Sequence, residues 1–494
     1  MKKDSLYMLI EGMTKQEKIF FNRFAQIANN KKNKHYLTLF KLIEKQLKKN
    51  KAIDEEQLKK KFPYLSVEKR YLMNILIKSL TAFHENDEGF YAVKTLIKQI
   101  YILVDKGIYL EAQKLHAKAV KIAERYNLFE DLMSLNNIRV ALRGHRDILS
   151  DLNIMKAIID DQNKKIGQLL NYDQYRLYMY QLQDWIRTNG YIDTPQKEAE
   201  FNQLIASPLI DNISEAKSDR AIELFYNARI YIWGLQYNFR KKYEEFQQRI
   251  AFMKEHPHLY SPYNKIIFTN NYLMCCIRVG AIEECEEQLL VLEEYIQQYP
   301  LSLERVMVCL YTRKLEFYSH IGAFEKNRAW LLEVEKGLYL CQNLTPLQSE
   351  YLYLYLGRAY MELGDYEKAL EHLYKVGAFK IFDKTSVTYS AAKLLVLICY
   401  YELGWYSNLE SALISFYRQI RKAKVQYKLY ESLLKYLKLG IANRDLTNKN
   451  TLYFFSSEWE NISPDSRESI PFQFFHYKKW LRSKIENKPL DTYF

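Results

Sequence analysis

Residues 351–376 read YLYLYLGRAYMELGDYEKALEHLYKV, and this stretch decides the fold class of the chain. Three Tyr-Leu pairs open it. Alternation indicates a half-buried strand only when it separates an apolar face from a polar one, and here both residue types are apolar. At helical spacing the apolar residues form two stripes on either side of Gly364-Asp365, where a helix is expected to end. The stretch therefore predicts helix, turn, helix, with these stripes: Tyr353, Leu356, Gly357 and Tyr360, then Tyr366, Ala369, Leu370 and Leu373.

The segment LGRAYMELGDYEKALEHL resembles a tetratricopeptide repeat, a helical hairpin that stacks into arrays. The matching positions are Leu356-Gly357, Tyr360, Gly364, Tyr366 and Ala369. Gly357 and Ala369 lack bulk where the two helices are expected to cross, and Tyr360 and Tyr366 are expected to fill the space beside them. The resemblance implies stacked hairpins whose first helices line a concave groove.

The turn glycine of this hairpin recurs at a regular period. It stands at Gly280, Gly322, Gly364 and Gly404, with separations of 42, 42 and 40 residues. Asn238 stands 42 residues before Gly280, and Asn is the other residue that tolerates left-handed backbone. Gly190 and Gly107 continue the series with looser spacing. The period indicates an array of similar hairpins.

Prolines support the same division of the chain. Pro262, Pro300 and Pro346 each stand shortly before the first helix of a repeat, where a missing N–H is harmless. The period exceeds the roughly 34 residues of the common repeat, which predicts longer helices or loops. We therefore predict an all-α fold, an α-solenoid of stacked hairpins with a small N-terminal helical domain. An irregular helical bundle is the alternative.

Composition agrees with long helices and a continuous core. Of the 494 residues, 48% are apolar, and only 15 are Gly and 10 Pro, too few for the turns of a multi-stranded protein. The six cysteines show no CxxC spacing and are expected to be reduced thiols, most of them in the core. The N-terminus lacks the apolar run of a signal peptide, and no window approaches a membrane span, so a cytoplasmic protein is expected.

Catalytic signatures are absent from the sequence. It has no GxGxxG, GxxxxGK[ST], HExxH, GxSxG or EF-hand loop, so we expect neither an enzyme nor a bound cofactor. His256 and His258 have a spacing that could ligate a metal, but no Cys lies near them in sequence, and an exposed loop is the preferred interpretation. Asp160-Asp161 is interpreted as solvated helix surface rather than a pair of catalytic acids.

Three units are predicted. Residues 1–90 form a basic helical domain whose second helix begins with a capping box, Thr14 and Glu17, and whose last helix begins at Ser66. Its last two helices are joined by residues 63–65, a connection typical of helix-turn-helix pairs. Residues 91–404 form the repeat array, and residues 405–494 are expected to cap its exposed end. This layout is similar to that of uncharacterised Bacteroidetes repeat proteins.

Positive charge concentrates at the front of the chain. The net charge is +13, and residues 1–90 hold 19 Lys and Arg against 11 Asp and Glu, a net of +8. Lysines are dense from Lys31 to Lys61, and lysine suits phosphate neutralisation better than base readout. The candidate contacts to phosphate or to an acidic partner are Lys59, Lys60, Lys61 and Arg70, with a solvated basic surface as the alternative. Six glutamates between residues 283 and 294 are interpreted as a solvated outer face, or else as a docking surface for the basic domain.

A line of polar residues marks a candidate groove. Arg229, Asn271 and Arg313 stand 42 residues apart at equivalent positions of successive first helices, and Arg358 falls nearby on the next. Some chaperone-binding tetratricopeptide domains grip a terminal carboxylate with an Asn and then an Arg at this position, which implies an anion-gripping role. The lysines that complete such a clamp are absent, because Cys309, Ala228 and Ile232 occupy their positions. Further groove contacts are predicted from Tyr351 and Met361. Pairing with neighbouring helices, or exposure to water, is the alternative.

These features predict a non-catalytic scaffold that binds a peptide or protein segment in its groove. The alternative is a nucleic-acid-associated regulator, in which the basic N-terminal domain contacts phosphates and the array senses a partner. The two differ in salt dependence, because phosphate-driven binding weakens steeply as ionic strength rises.

Overall fold

The computed structural model describes residues 4–27, 35–48, 53–87, 89–143, 152–190, 192, 194–298, 303–338, 344–377, 386–423, 427–443, 449–462 and 467–494. These residues form helices joined by turns and contain no strand. The α-helices are α1 (Ser5–Gly12), α2 (Lys15–Ile27), α3 (His35–Lys48), α4 (Glu55–Lys61), α5 (Leu65–Phe83), α6 (Phe90–Asp105), α7 (Tyr109–Arg125), α8 (Phe129–Arg143), α9 (Leu152–Asn189), α10 (Pro195–Ile205), α11 (Asp219–Leu235), α12 (Phe239–Glu255), α13 (Pro262–Val279), α14 (Ile282–Gln298), α15 (Leu303–His320), α16 (Phe324–Gly337), α17 (Pro346–Glu362), α18 (Tyr366–Leu373), α19 (Val387–Glu402), α20 (Tyr406–Ala423), α21 (Lys428–Asn443), α22 (Lys449–Glu460) and α23 (Tyr477–Glu486).

The stretch that opens on Tyr-Leu pairs is helical. It lies in α17 and α18, and the prediction of helix, turn, helix is confirmed. A capping box starts α17, since Thr345 Oγ1 accepts from the backbone N–H of Gln348 and the side chain of Gln348 accepts from the N–H of Thr345. Pro346 occupies the first turn, as predicted. The apolar residues of this segment lie on the buried side of both helices.

The predicted turn glycines take positive φ. The values lie between 67° and 79° at Gly107, Gly190, Gly280, Gly322, Gly364 and Gly404. The prediction for Asn238 was wrong: its φ is −87°, and it is the N-cap of α12, accepting from the N–H of Lys241 at 3.0 Å. Tyr237 takes the left-handed conformation instead, with φ of 59°. The left-handed residue is therefore one position earlier than the period predicts. The reason is that the side chain of Asn238 caps α12, so the residue before it makes the turn.

Consecutive helices pair as hairpins, and the first helices of neighbouring hairpins also touch. Among the described residues α11 packs on α12, α13 on α14, α15 on α16, α17 on α18 and α19 on α20. Contacts between α13 and α15, α15 and α17, and α17 and α19 connect the hairpins. At the crossing of α17 and α18, a Cβ built on Gly357 would lie 2.5 Å from Leu373 Cγ, which explains the lack of bulk there.

The N-terminal helices have their own core. Buried side chains from Leu6 to Leu76, on α1 to α5, form a separate hydrophobic cluster. The predicted capping box is present, with Glu17 N–H donating to Thr14 Oγ1 at 3.2 Å and Thr14 N–H donating to Glu17 at 2.6 Å. The helix expected to start at Ser66 begins at Leu65. The predicted domain boundaries at residues 90 and 404 stay predictions.

The largest hydrophobic cluster spans the second half of the chain, from Tyr237 to Ile485. Helices α15 to α21 contribute to it together with the residues around α23. Within the described ranges, no helix is both long and apolar enough to cross a membrane. Pro300, Cys341 and the lysines from Lys31 to Lys34 lie outside the described residues.

Candidate functional site

A C-terminal segment lies across the first helices of four successive hairpins. We call residues 467–494 the strap; it comprises a 3-10 turn (Arg467–Gln473), α23 and a final turn (Leu490–Tyr493). It contacts α13 and α17 through Gln473, α15 through His476, and α19 through Trp480 and Lys484, while α23 also packs on α22. The prediction that residues 405–494 cap the end of the array stays a prediction.

Four equivalent positions line the surface beneath the strap, which we call the strap face. Each stands two residues before a turn glycine, at the C-terminal end of its helix: Arg278, His320, Glu362 and Glu402. The predicted polar positions of α13 and α15, Asn271 and Arg313, lie seven residues earlier. Seven residues are about two helical turns, so both sets fall on one side of each helix.

Glu402 holds the strap helix through both of its carboxylate oxygens. Trp480 Nε1 donates to Oε1 at 2.7 Å, and Lys484 Nζ donates to Oε2 at 2.6 Å. Trp480 and Lys484 are four residues apart, so one face of α23 supplies both donors. The ring of Trp480 also packs edge-on against Tyr401 and Tyr436, with centroids 6.4 and 5.9 Å away.

Gln473 connects two arginines of the strap face. Its side-chain oxygen accepts from Arg278 Nη2, and its backbone carbonyl accepts from Arg358 Nη1 at 3.3 Å. Arg358 is also paired with Glu362, with Nε and Oε1 separated by 2.8 Å. Among the described residues Arg278 has no carboxylate within ion-pair distance; it lies over the ring of Phe239, 4.8 Å from the centroid. Its Nε is buried and lacks a hydrogen-bond partner.

Apolar side chains of the strap complete the core beneath it. The buried ones are Ile470, Phe474, Phe475, Tyr477, Trp480, Leu481 and Ile485. At the other end, the ring of Phe494 packs against Phe324 and His476, with centroids 5.0 and 4.7 Å away. Lys479 Nζ lies 3.4 Å from the centroid of the same ring. A Cβ built on Gly322 would overlap Phe494, so this turn requires glycine for space as well as for its φ.

The contact between strap and helices leaves polar atoms unsatisfied. Glu362 Oε2, His476 Nε2 and the Tyr477 hydroxyl are buried without a partner, in addition to Arg278 Nε. Burial, with the positive charges of Arg358 and Lys479 nearby, holds the pKa of His476 well below its usual value of 6.5. Burial also lowers the pKa of His320. Both imidazoles are therefore neutral where the strap is closed at neutral pH.

The structure places the predicted groove residues mostly inside the protein. Arg313 is buried and donates to Glu316, and Arg358 is buried against Glu362. Met361 is buried in the main cluster. These two guanidinium groups already have carboxylate partners, which favours the structural alternative for them. The anion-gripping role stays a prediction.

The remaining groove residues are partly exposed. Arg229 donates from Nε to Glu245 at 2.5 Å and from Nη1 to the carbonyl of Ile210 at 3.1 Å. Asn271 accepts from the side chain of Asn270 at 3.3 Å. Tyr351 stacks on Tyr355, with 6.3 Å between ring centroids.

The basic residues of the N-terminal helices lie on the surface. Lys59 is paired with Glu56 at 2.8 Å. Lys60, Lys61 and Arg70 are exposed and make no ion pair with any described residue. Tyr64, between α4 and α5, is 78% exposed beside them.

The two histidines that the sequence singled out make contacts within the chain. His256 stacks on Phe252, and the ring of His258 is 2.7 Å from the carbonyl of Arg125. No cluster of metal-ligating side chains occurs in the described parts of the chain. Cys275, Cys276, Cys285 and Cys399 are buried and free, and Cys309 is free and half-buried. An open cleft of about 660 Å³ lies between α9 and α10 and includes Trp185 in its lining.

Sequence reasoning missed the strap, although a signal existed. The residue two positions before each turn glycine is polar or charged in four successive hairpins, at the C-terminal end of the first helix. A polar residue that recurs at one position of successive hairpins indicates that a single segment contacts all of them. This line of positions carries the same information as the line of Arg229, Asn271 and Arg313. Nothing in the spacing indicates that the occupant comes from the same chain.

Comparison with protein-family models and with curated proteins finds no match to this chain.

Proposed function

We propose that the chain is a non-catalytic scaffold, a tetratricopeptide-like α-solenoid that binds a peptide or protein segment along its first helices. The observation that carries the proposal is the strap, which contacts four successive first helices at Arg278, His320, Arg358 and Glu402. A repeat array recognises an extended or helical segment in this way, because each hairpin supplies the same kind of contact at a regular distance.

The chemistry of the strap face supports a polypeptide ligand over a small molecule. Its polar contacts include an indole N–H and an ammonium on Glu402, a backbone carbonyl on Arg358 and an amide oxygen on Arg278. Its apolar contacts are made by aromatic rings several residues apart in sequence. Such a set of contacts is spread over a length that one peptide covers and a small molecule does not.

The experiment selects short peptides from a displayed library on the full-length chain, using the wild type and Lys484→Ala. Lys484→Ala removes one of the two donors to Glu402 and so weakens the closed strap. We expect selected peptides to compete with a synthetic peptide of residues 467–494 and to lose affinity when Glu402→Gln is added. The strap face is not a peptide-binding surface if neither protein selects any peptide. The same follows if the selected peptides neither compete with the 467–494 peptide nor lose affinity in Glu402→Gln.

A second candidate function rests on the N-terminal helices. Lys60, Lys61 and Arg70 are exposed and form no ion pair with a described residue, and α4 and α5 are joined by a tight turn. We propose phosphate contact by these residues as the alternative, with nucleic acid as the partner. Binding of a labelled duplex to the full chain is expected to fall steeply with salt and to weaken in Lys60→Gln/Lys61→Gln. Lys59→Gln is the matched control, since Lys59 is already paired with Glu56.

A further inference from the structure

The strap is held by strong contacts and yet leaves polar groups of the strap face unsatisfied. Seven of its apolar side chains are buried, and Glu402 binds two of its donors. Against this, two groups of the strap face, Arg278 Nε and Glu362 Oε2, have no hydrogen-bond partner among the described residues, and neither do His476 Nε2 and the Tyr477 hydroxyl of the strap itself. Each buried polar group without a partner loses its hydration and gains nothing in return. A segment that satisfied Arg278 Nε and Glu362 Oε2 would bind the strap face better than the strap does.

The geometry at Arg278 identifies what such a segment would carry. Arg278 Nη2 donates to the amide oxygen of Gln473, while the adjacent Nε has no acceptor. Nε and Nη2 form one edge of the guanidinium, and a carboxylate fits that edge with two parallel hydrogen bonds. An amide offers only one acceptor and fits it with one. Arg278 also lacks a carboxylate from any described residue, so the missing group is a negative charge at the position of Gln473.

The other end of the face identifies a second requirement. Glu402 accepts from Trp480 and Lys484, a pair four residues apart on one helix face. A competing segment needs an aromatic N–H or another donor and a basic residue with the same spacing, or it leaves the Glu402 carboxylate buried and unpaired. Between the two ends, aromatic side chains are needed to fill the space of Phe474, Phe475 and Tyr477.

We propose that the strap is a displaceable intramolecular ligand of the strap face. Its external competitor is a segment of another protein that carries a carboxylate in place of Gln473 and an aromatic-basic pair in place of Trp480 and Lys484. This inference rests on the proposed function and adds the partner's chemistry and its regulation. In the closed chain the strap excludes the partner, so the apparent affinity of the partner is reduced by the fraction of chains that are closed.

The test uses two labelled synthetic peptides of residues 467–494, one with the native sequence and one with Gln473→Glu. Their binding to full-length wild type and to full-length Lys484→Ala is measured by fluorescence anisotropy. We expect the Gln473→Glu peptide to bind about tenfold more tightly than the native peptide, the difference made by one good charge-assisted hydrogen bond. We expect both peptides to bind Lys484→Ala at least about tenfold more tightly than the wild type.

Arg278→Gln in the Lys484→Ala background isolates the carboxylate. It is expected to remove the difference between the two peptides, because the charge that distinguishes Glu from Gln is lost. The full chain with its own Gln473→Glu is expected to close more tightly and to bind neither peptide. A second way to loosen the strap, Gly322→Ala at the Phe494 contact, protects the test if Lys484→Ala does not fold, as judged by circular dichroism.

If each peptide binds equally to the wild type and to both loosened chains, the proposal that the closed strap excludes the partner is overturned. Selection of library peptides would in that case still support the proposed peptide-binding function. Equal affinity of the two peptides would overturn the carboxylate requirement. If light scattering shows that the loosened chains dimerise without added peptide, the strap face is occupied by the strap of a second copy, and an external partner is overturned. If neither the two peptides nor any library peptide binds, the proposed function fails as well.

Discussion

Trp480 and Glu402 lie 78 residues apart in the sequence, and Trp480 Nε1 donates a hydrogen bond to Glu402 Oε1 at 2.7 Å. Lys484 donates to the other oxygen of the same carboxylate at 2.6 Å. Because both oxygens of Glu402 are used by one helix of the strap, the attachment of α23 to α19 depends on this side chain.

Glu402→Gln is expected to lower the free energy of unfolding by about 1.5–3 kcal/mol, the value of a hydrogen bond to a charged group. The amide keeps an acceptor for Trp480 but no longer matches the charge of Lys484. Urea denaturation measures the change. In a double-mutant cycle with Lys484→Met, the double variant is expected to lose less than the two single variants together, since no charge is left unpaired.

The matched control for Glu402→Gln is Glu486→Gln, which breaks the pair between Glu486 and Arg482 at 2.8 Å on the exposed side of α23. No measurable change is expected there, because an ion pair in water contributes little. If the effects of Glu402→Gln and Lys484→Met on the free energy of unfolding are additive, the attachment of α23 to α19 through this pair is contradicted.

Gly357→Ala is expected to destabilise the protein by about 1–3 kcal/mol, the usual cost of overpacking. A new Cβ would lie 2.5 Å from Leu373 Cγ and 3.3 Å from the carbonyl oxygen of Ala369. Thermal unfolding of the variant measures the loss. Gly167→Ala in α9 is the control: nothing lies within 4 Å of its new Cβ, and alanine is expected to stabilise that helix by about 0.5–1 kcal/mol. A stabilising Gly357→Ala would show that α17 and α18 cross elsewhere.

Gly322→Ala and Gly364→Ala distinguish the cost of backbone strain in the turn from the cost of losing the contact with the strap. Both glycines have positive φ, 71° and 79°, so each alanine is expected to cost about 1 kcal/mol in backbone strain. Only at Gly322 does the new Cβ overlap Phe494, while nothing lies within 4 Å of it at Gly364. We expect a larger loss of melting temperature for Gly322→Ala, and we expect the excess to disappear in a Phe494→Gly background. An equal loss at both turns would exclude the contact with Phe494.

Acidification is expected to loosen the strap. The pKa of His476 is held well below 6.5 by burial beside Arg358, Lys479 and His320. The unfolded chain takes up a proton near pH 6.5 and the folded chain does not, so the stability that depends on neutral His476 is present above that pH and is lost as pH falls below it. We expect His476→Gln to reduce the fall in urea midpoint between about pH 7.5 and 5.5.

The control for the pH experiment is His258→Gln, a histidine outside the strap face. It is expected to keep the pH dependence of the wild type. An unchanged pH dependence in His476→Gln would mean that this imidazole titrates freely and that the strap is not closed over it.

Much of the local structure could be predicted from residues close together in sequence. The capping boxes at Thr14 and Thr345 and the six turn glycines act on backbone groups within a few residues, so their effects do not depend on distant contacts. The turn near Asn238 shows the limit of a strict period, because the same residue type serves both as a helix cap and as a left-handed turn residue. Spacing alone does not decide between the two roles.

The side chains of the candidate site could be predicted only in part. The period placed Asn271 and Arg313 on the side of the helices that the strap crosses, but it did not show that Arg313 is buried against Glu316 or that Arg358 binds Glu362. Whether an arginine on such a face meets solvent, a carboxylate of its own helix or another segment depends on what covers it, and the cover comes from a distant part of the chain.

The sequence by itself determined that the chain is helical and where its hairpins turn, because apolar periodicity, caps and glycines act within one or two turns of a helix. Only the tertiary structure decided that residues 467–494 cover α13 to α19. The contacts that fix this, Arg358 with Gln473 and Arg278 with Gln473, join residues 115 and 195 positions apart. Contacts over such separations follow from the shape and charge of the assembled helices, and no local pattern in the sequence encodes them.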